Sequence, residues 1–364
     1  MILRPDYLYL LWQFLFGKVR NKIAAVTTGT DHFSDSLRKE NALLLDAASK
    51  LGIAVTRHSG GMLEFSYRGR SSFLRANITE LDPAISLKMA SDKQLSAELL
   101  QRVGLPVPTA KDFTRNELKK AEDFRNELGG IAVVKPRRGT SSGIGITAGL
   151  ANSKDMRRAF YEASFYDSRV MVEEFVPGDN IRLLVLGNTV VSAVKRIPAT
   201  VIGDGKSTIK KLIRLENARR LKSEEMPKLW EIAHTRDLGL TLKRHSLSLR
   251  SIPPNGMAVQ VKTICNGHQG GTVEEVTSRV HPDFLEMAVK AAKTLGIVFG
   301  GVDLITPDIS VPADERSKIN EVNTTPSIYG HYLAYNRDEI RDSAGALLRF
   351  IFDIDQTSSA GTRK

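Results

Sequence analysis

Ile319-Asn320-Glu321-Val322-Asn323-Thr324-Thr325-Pro326 reads as a strand running into a turn. Side chains two apart on a strand project from one face, so Glu321 and Asn323 share a face and Val322 takes the other. Upstream, Val302-Asp303-Leu304 sets a carboxylate between two apolar neighbours in a strand spanning Val298 to Ile305. If the two strands pair across the polar loop Thr306–Lys318, Asp303 meets Glu321 and Asn323. Three oxygen-bearing side chains with no His or Cys among them suit a hard cation such as Mg²⁺. Taken alone, they read more readily as the polar positions of an exposed strand.

Two further stretches bear on that choice. Val133-Val134-Lys135-Pro136 ends a strand and leads into a loop carrying Gly139, Ser141, Ser142, Gly143 and Gly145. Glycine lets backbone N–H groups approach phosphate closely, and Lys135 adds a point charge. The lysine precedes the glycines, so this is not the G-x-x-x-x-G-K-[ST] loop. Glu173-Glu174-Phe175-Val176-Pro177-Gly178 offers a carboxylate at a strand end, then an apolar pair and a turn, which could hold an adenine amino group in an apolar slot. Each stretch alone also reads as an ordinary hairpin or strand end.

The surrounding pattern mixes helices with hairpins, which is α+β rather than a run of parallel crossovers. Helices are expected at Ser36–Leu51, from a Ser91 cap to Gly104, at Asn116–Leu128, Ser153–Ala163 and Pro282–Leu295. Strands are expected at Ile23–Thr27 and Ile53–Thr56, which suggest an α/β opening unit. Others are expected at Ile131–Lys135 and Val170–Glu174, and at Leu183–Leu186 and Val190–Lys195 around a Gly187-Asn188 turn.

With 364 residues, 41% hydrophobic and 26% charged, the chain has the make-up of a multi-unit globular protein. Its single Cys265 excludes an internal disulfide and a thiolate metal cage, and the expected location is cytoplasmic. The apolar run Leu8–Phe16 is shorter than the roughly 20 residues a membrane span needs, so no transmembrane segment is expected. Net charge is +11, and residues 206–250 hold 12 Lys or Arg against 5 Asp or Glu. Trp230 is the one aromatic in that stretch, which argues against a base-stacking surface for nucleic acid. A solvated helical face and an anion-facing lid both fit it.

Ser91-Asp92-Lys93, Val134-Lys135-Pro136, Glu173-Glu174-Phe175, Asp303 and Glu321-Val322-Asn323 together resemble the ATP-grasp superfamily. Gly203-Asp-Gly-Lys206, Ile252-Pro-Pro-Asn-Gly256, Asn266 with Gly270-Gly-Thr272, Val280-His-Pro-Asp283 and Gly301-Val-Asp-Leu-Ile-Thr-Pro-Asp-Ile309 narrow the likeness. They are similar to the ATP-grasp regions of cyanophycin synthetase and bifunctional glutathione synthetase.

The resemblance implies an ATP-grasp fold that holds a nucleotide between two α+β subdomains. It implies ATP and one or two Mg²⁺ ions as cofactors, with Mn²⁺ able to substitute. Lys93, Lys135, Ser141, Ser142 and Gly143 would hold phosphates; Glu173, Phe175 and Val176 the adenine; and Asn180 the ribose, where the family usually has an acid. Asp303, Glu321 and Asn323 would hold the metal, and Arg182, Lys195, Arg196 and Lys206 would meet the transferred phosphate. The dipeptide-ligase branch carries an arginine two residues before the first metal carboxylate; here that position is Gly301, and Arg196 is the expected replacement.

The implied activity is an ADP-forming carboxylate–amine ligation through an acylphosphate, on amino acids or a short peptide, with the basic lid pointing to acidic partners. A single ligation is expected, since the chain has no room for the extra domains of the larger synthetases. A phosphotransferase or a non-enzymatic nucleotide- or nucleic-acid-binding protein are the alternatives. The expected units are residues 1–88, 89–177 and 178–355 with a basic lid at 206–250, then a disordered tail at 356–364. A homo-oligomer is the usual assembly among such proteins.

Overall fold

The computed structural model describes residues 32–138, 145–222, 229–265, 267 and 270–355. The expectations for Leu8–Phe16, Ile23–Thr27, Ser141, Ser142, Gly143 and the tail 356–364 lie outside these residues.

Helix α1 (His32–Leu51) is followed by an antiparallel meander of β1 (Ala54–Arg57), β2 (Leu63–Tyr67) and β3 (Arg70–Leu74). The β2–β3 hairpin turns on Arg68 and Gly69, both at positive φ, the geometry of a type I′ turn. The reading from sequence leaves this hairpin out, because Arg-Gly is not among the usual Asn-Gly or Asp-Gly signals.

Two helices follow, α2 (Ala84–Ser91) and α3 (Lys93–Arg102). The cap of α3 is Asp92, not Ser91: Asp92 has extended backbone and its carboxylate accepts from Leu95 N–H, while Ser91 closes α2. An additional turn starting after Pro83 uses up the residue that reads as the cap.

The first mixed layer contains β4 (Ala110–Thr114), α4 (Leu118–Glu127), β5 (Ala132–Pro136), β6 (Thr147–Leu150), α5 (Ser153–Ala163) and β7 (Arg169–Glu174). Its four strands lie in the order β4-β7-β5-β6, and their inner face packs on Ala121, Phe124, Met156 and Phe160 of the two helices.

The second layer is built on β8 (Asp179–Leu186) and β9 (Thr189–Ile197), joined by the expected Gly187-Asn188 turn. Between β9 and the next strand of this sheet the chain makes β10 (Thr200–Ile202), α6 (Ile209–Lys222), α7 (Arg236–Arg244) and β11 (Ala258–Gln260). These close on a core of their own, with Ile209, Ile213, Leu238, Leu242 and Val261 buried. The basic stretch is thus a packed module rather than a solvated hairpin, and it reaches beyond residues 206–250 at both ends.

The chain returns as β12 (Thr272–Glu275), α8 (Pro282–Thr294), β13 (Phe299–Thr306), β14 (Lys318–Thr324) and α9 (Ser343–Phe352). The five-stranded order is β12-β9-β8-β13-β14, antiparallel throughout. Alternation along β8 and β13 sends Ile181, Leu183, Val302 and Leu304 into a core shared with Phe284, Ala288 and Ala291 of α8. The opposite face is left for polar groups.

A bulge in β14 sharpens this division. Asp303 pairs with Glu321 but Leu304 pairs with Ile319, so Asn320 is the extra residue. Strict alternation would put Ile319 on the face of Glu321 and Asn323. The bulge instead buries Ile319 and Val322 together in the core. At the far end of the polar face, Leu184 and Leu186 join a cluster with Leu44, Phe65 and Leu347, which seats the N-terminal unit there.

Candidate functional site

Asp303 is the centre of the polar face. Arg182, directly opposite on β8, meets it with both sides of its guanidinium, Nη2 donating to Oδ2 at 2.8 Å and Nε to Oδ1. Arg196 Nη1 lies 3.2 Å and Asn323 Nδ2 3.1 Å from the same Oδ2. Burial alone would raise the Asp303 carboxyl, but the two arginine charges and the hydrogen bonds from Arg182 and Asn323 outweigh it and hold its pKa below the carboxylate range. Burial and repulsion from Arg182 lower Arg196.

Gly301 is the reason the arginine fits. A Cβ built there would come within 2.9 Å of Arg182 Cδ and Nη1. The guanidinium missing from position 301 is therefore supplied by the neighbouring strand, lying over the glycine. Arg196, the replacement expected from sequence, adds a second.

Glu321 faces the first turn of α3, where Lys93 Nζ lies 3.2 Å from its Oε1. On the other layer Lys135 and Glu173 sit diagonally on β5 and β7, with Nζ and Oε2 2.6 Å apart and side chains only 5% and 8% exposed. All four charged residues line one cleft, with Ala97, Leu100, Val107, Met171 and Ile319 as its apolar wall. The cleft lies between the two layers, which the chain joins through Phe175-Val176-Pro177-Gly178. Val176 is buried and Phe175 half-buried. Gly178, at φ 147°, passes so close to Thr306 that a Cβ would come within 2.7 Å of its carbonyl carbon and oxygen.

Asn180 projects from the Arg182 face, half-buried, with its amide 3.7 Å from the Cys265 sulfur. Two of the expected residues stay apart from this cluster. Lys195 follows the alternation to the other face from Arg196 and pairs with Asp179 at 2.5 Å. Lys206 is exposed in the Gly203–Ser207 turn, where Asp204 accepts from the N–H groups of Lys206 and Ser207 and starts the lid module.

Two arrangements were not foreseen from sequence, although His331, just past the strand of Glu321 and Asn323, reads there as a candidate to line an acceptor site. Arg137 and Arg138, just before the glycine-rich loop, both pair with Asp92 beside Lys93, and Arg137 also reaches Asp112 at 3.1 Å. The adjacent basic pair after Lys135 was the available signal. The second is a buried chain, His331 to Ser192 to Glu275, with contacts of 2.8 and 3.0 Å. Burial, then the Arg182 and Arg196 charges, push His331 down to about 3, so its imidazole is neutral at working pH. Nothing in the local sequence joins these three residues; only the β9–β12 pairing and the turn after β14 do.

As ligands, Asp303, Glu321 and Asn323 offer carboxylate and amide oxygens and no imidazole or sulfur donor, which fits Mg²⁺ or Mn²⁺ rather than zinc or copper. Around them stand Lys93, Arg182 and Arg196, three cations to two carboxylates. That surplus suits a polyphosphate.

Residues 99–211 match the family model for the D-ala D-ala ligase C-terminus. The chain is 32% identical over 289 residues to the glutathione biosynthesis bifunctional protein of Clostridium perfringens, covering 77% of this chain and 36% of that protein. It is 30% identical over 326 residues to cyanophycin synthetase of Trichormus variabilis, covering 88% of this chain and 36% of that one. The chain thus spans about a third of the length of these curated relatives. The crystal structure of a bifunctional glutathione synthetase from Pasteurella multocida superposes with a TM-score of 0.60 at 29% identity, over 86% of this chain and 44% of that one. Among the described residues, no helix is long and apolar enough to cross a membrane. An α+β architecture with the cleft between two sheets, and relatives of this kind over most of its length, establish that the chain belongs to the ATP-grasp family.

Proposed function

We propose that this chain is an ATP-dependent carboxylate–amine ligase that forms an amide and releases ADP and phosphate. The observation that carries the reading is the meeting of two half-sites. The Lys135–Glu173 pair on one layer and the Asp303, Glu321 and Asn323 set on the other are joined at one cleft by Lys93 against Glu321.

In this reading Glu173 and the Phe175–Val176 backbone hold adenine, and Asn180 a ribose hydroxyl. Lys93 and Lys135 hold phosphates. Arg182 and Arg196 neutralise the charge of the transferred phosphoryl group, and later of the acylphosphate oxygens, from fixed positions. Asp303, Glu321 and Asn323 would hold Mg²⁺, or Mn²⁺ in its place, which when bound neutralises phosphate charge and orients it. The cleft keeps water from the reactive anhydride, and positioning supplies much of the rate. Lys195 and Lys206 are left without a role in the chemistry.

The substrates we propose are amino acids or a short peptide, with a carboxylate on one partner and an amine on the other. The lid's positive charge favours acidic ones. Sheet membership supports the units proposed from sequence, residues 1–88, 89–177 and 178–355. A cytoplasmic, homo-oligomeric enzyme that binds no nucleic acid completes the proposal; the lone cysteine supports the location and the scarcity of aromatics in the basic module the lack of nucleic acid.

The test is ADP release from paired amino acids and short peptides, with mass detection of the amide. Release that depends on both partners is expected. Release with a carboxylate or hydroxyl compound alone, giving a stable phosphorylated product, would make the protein a phosphotransferase.

A further inference from the structure

Ser192, Val194 and Arg196 alternate along β9, so Ser192 stands on the site's face. Arg196 pairs across from Asn180, Val194 from Arg182, and Ser192 from Leu184. Along this face the order is therefore Asn180, then Arg182, then the Ser192–Leu184 step, at intervals of about 7 Å. His331 occupies that third step, buried with 2% of its surface exposed.

The hydrogen bonds fix its tautomer. Glu275 Oε1 accepts from Thr277 N–H at 2.8 Å and from the Thr277 hydroxyl, and Oε2 lies 3.0 Å from Ser192 Oγ. A carboxylate can only accept, so the single Ser192 proton points to Glu275. Ser192 Oγ must then accept at its 2.8 Å contact with His331 Nδ1, which places the imidazole proton on Nδ1. Nε2 is left as a bare lone pair, buried and without a hydrogen-bond partner among the described residues. A buried acceptor of this kind calls for a donor from outside the chain.

A bare imidazole nitrogen repels carboxylate and phosphate oxygens and welcomes an N–H. We propose that His331 Nε2 is the docking acceptor for the amine substrate: one amine N–H hydrogen-bonds to it, and the nitrogen lone pair is turned back toward Arg182 and Arg196. This rests on the ligase reading and extends the nucleotide axis by one step, from ribose to phosphate to amine. The role is orientation; no proton passes to His331. Ser192 and Glu275 are positioning residues that hold the tautomer.

Two measurements decide it. In the full chain labelled with ¹⁵N-histidine, the signal lost in His331→Gln identifies the residue. An Nδ1–H tautomer with a pyridine-like Nε2 is expected, and its Nε2 resonance should shift on adding methylamine with magnesium and a non-hydrolysable ATP analogue. An Nε2–H tautomer, or an Nε2 that ignores methylamine, overturns the proposal.

With any amine and carboxylate that release ADP, His331→Leu should raise the amine KM by about tenfold or more, the worth of one such hydrogen bond. The KM values for ATP and carboxylate should stay within about twofold, as should positional isotope exchange in ATP driven by the carboxylate alone. His331→Gln should recover part of the amine KM. Equal losses for all three substrates would mean a structural role and overturn the proposal. If no pair releases ADP, the ligase reading fails, and the methylamine titration still decides the docking role.

Discussion

Gly301 shows how one missing side chain is made good by another strand. Gly301→Ala puts a methyl into Arg182, whose guanidinium must then swing off Asp303. We expect turnover to fall by about a hundredfold, the scale of a misplacement near 1 Å, with the fold retained by circular dichroism. The Lys135–Glu173 pair needs a different test, because each member neutralises a buried charge. Lys135→Ala should destabilise the protein by about 3–5 kcal/mol as well as weaken ATP binding. Adding Glu173→Gln should restore stability to urea but not nucleotide affinity. Recovery of both would remove the phosphate role proposed for Lys135. The candidate site was legible because Lys93, Lys135, Glu173, Asp303, Glu321 and Asn323 lie in short, type-specific stretches. Arg182 over Gly301 was not, since that contact depends on β8–β13 register. Lys195 could have been set aside from sequence: adjacent strand residues cannot both face Asp303.

At the scale of elements, local signals held where the turn chemistry was strong, as at Gly187-Asn188, and faltered where tertiary structure chose among near-equal options. Asp92 and Ser91 are both good caps, and only the packing of α2 decides between them. The β14 bulge is invisible in the alternation of Ile319, Glu321 and Asn323, because nothing in those residues announces an extra one. Helix α1 offers a pH test. Its Glu40 is buried, accepts from Ser327 Oγ and Tyr329 N–H, and burial raises it to about 7. The folded protein therefore holds this proton more tightly than the unfolded chain. Stability contributed by Glu40 is present below about 4.5, falls as pH rises to about 7, and is flat above. Glu40→Gln should erase that slope and stabilise the protein at pH 8 by about 2–3 kcal/mol, read from urea midpoints at several pH values. A slope that survives the substitution would assign it elsewhere.

The described chain has two sheets around a cleft, with the N-terminal unit at one end of the polar face and a basic module beside it. Composition anticipated the module's charge, but not its own core or its reach past residues 206–250. Arg220 anchors it, buried among Glu216 and the carbonyls of Trp230 and Gly270, so not all of its charge faces solvent. Lys206, Lys210, Lys211 and Arg214 are exposed. Replacing the last three by Ser should raise the KM for an acidic substrate several-fold at low salt. The difference should vanish near 0.5 M salt, where screening acts within about 4–5 Å. A salt-independent difference would argue for direct contact rather than steering.

The module leaves and rejoins the body at one point: β10 and β11 run side by side, with Val261 N–H donating to Ala199 O at 2.8 Å. Entry and exit through one strand pair make the intervening residues a cassette, with Trp230 as its packing contact to Tyr329 of the body. Exchange between relatives, in evolution or by design, can alter the basic surface while the charged cluster on the five-stranded sheet is inherited unchanged.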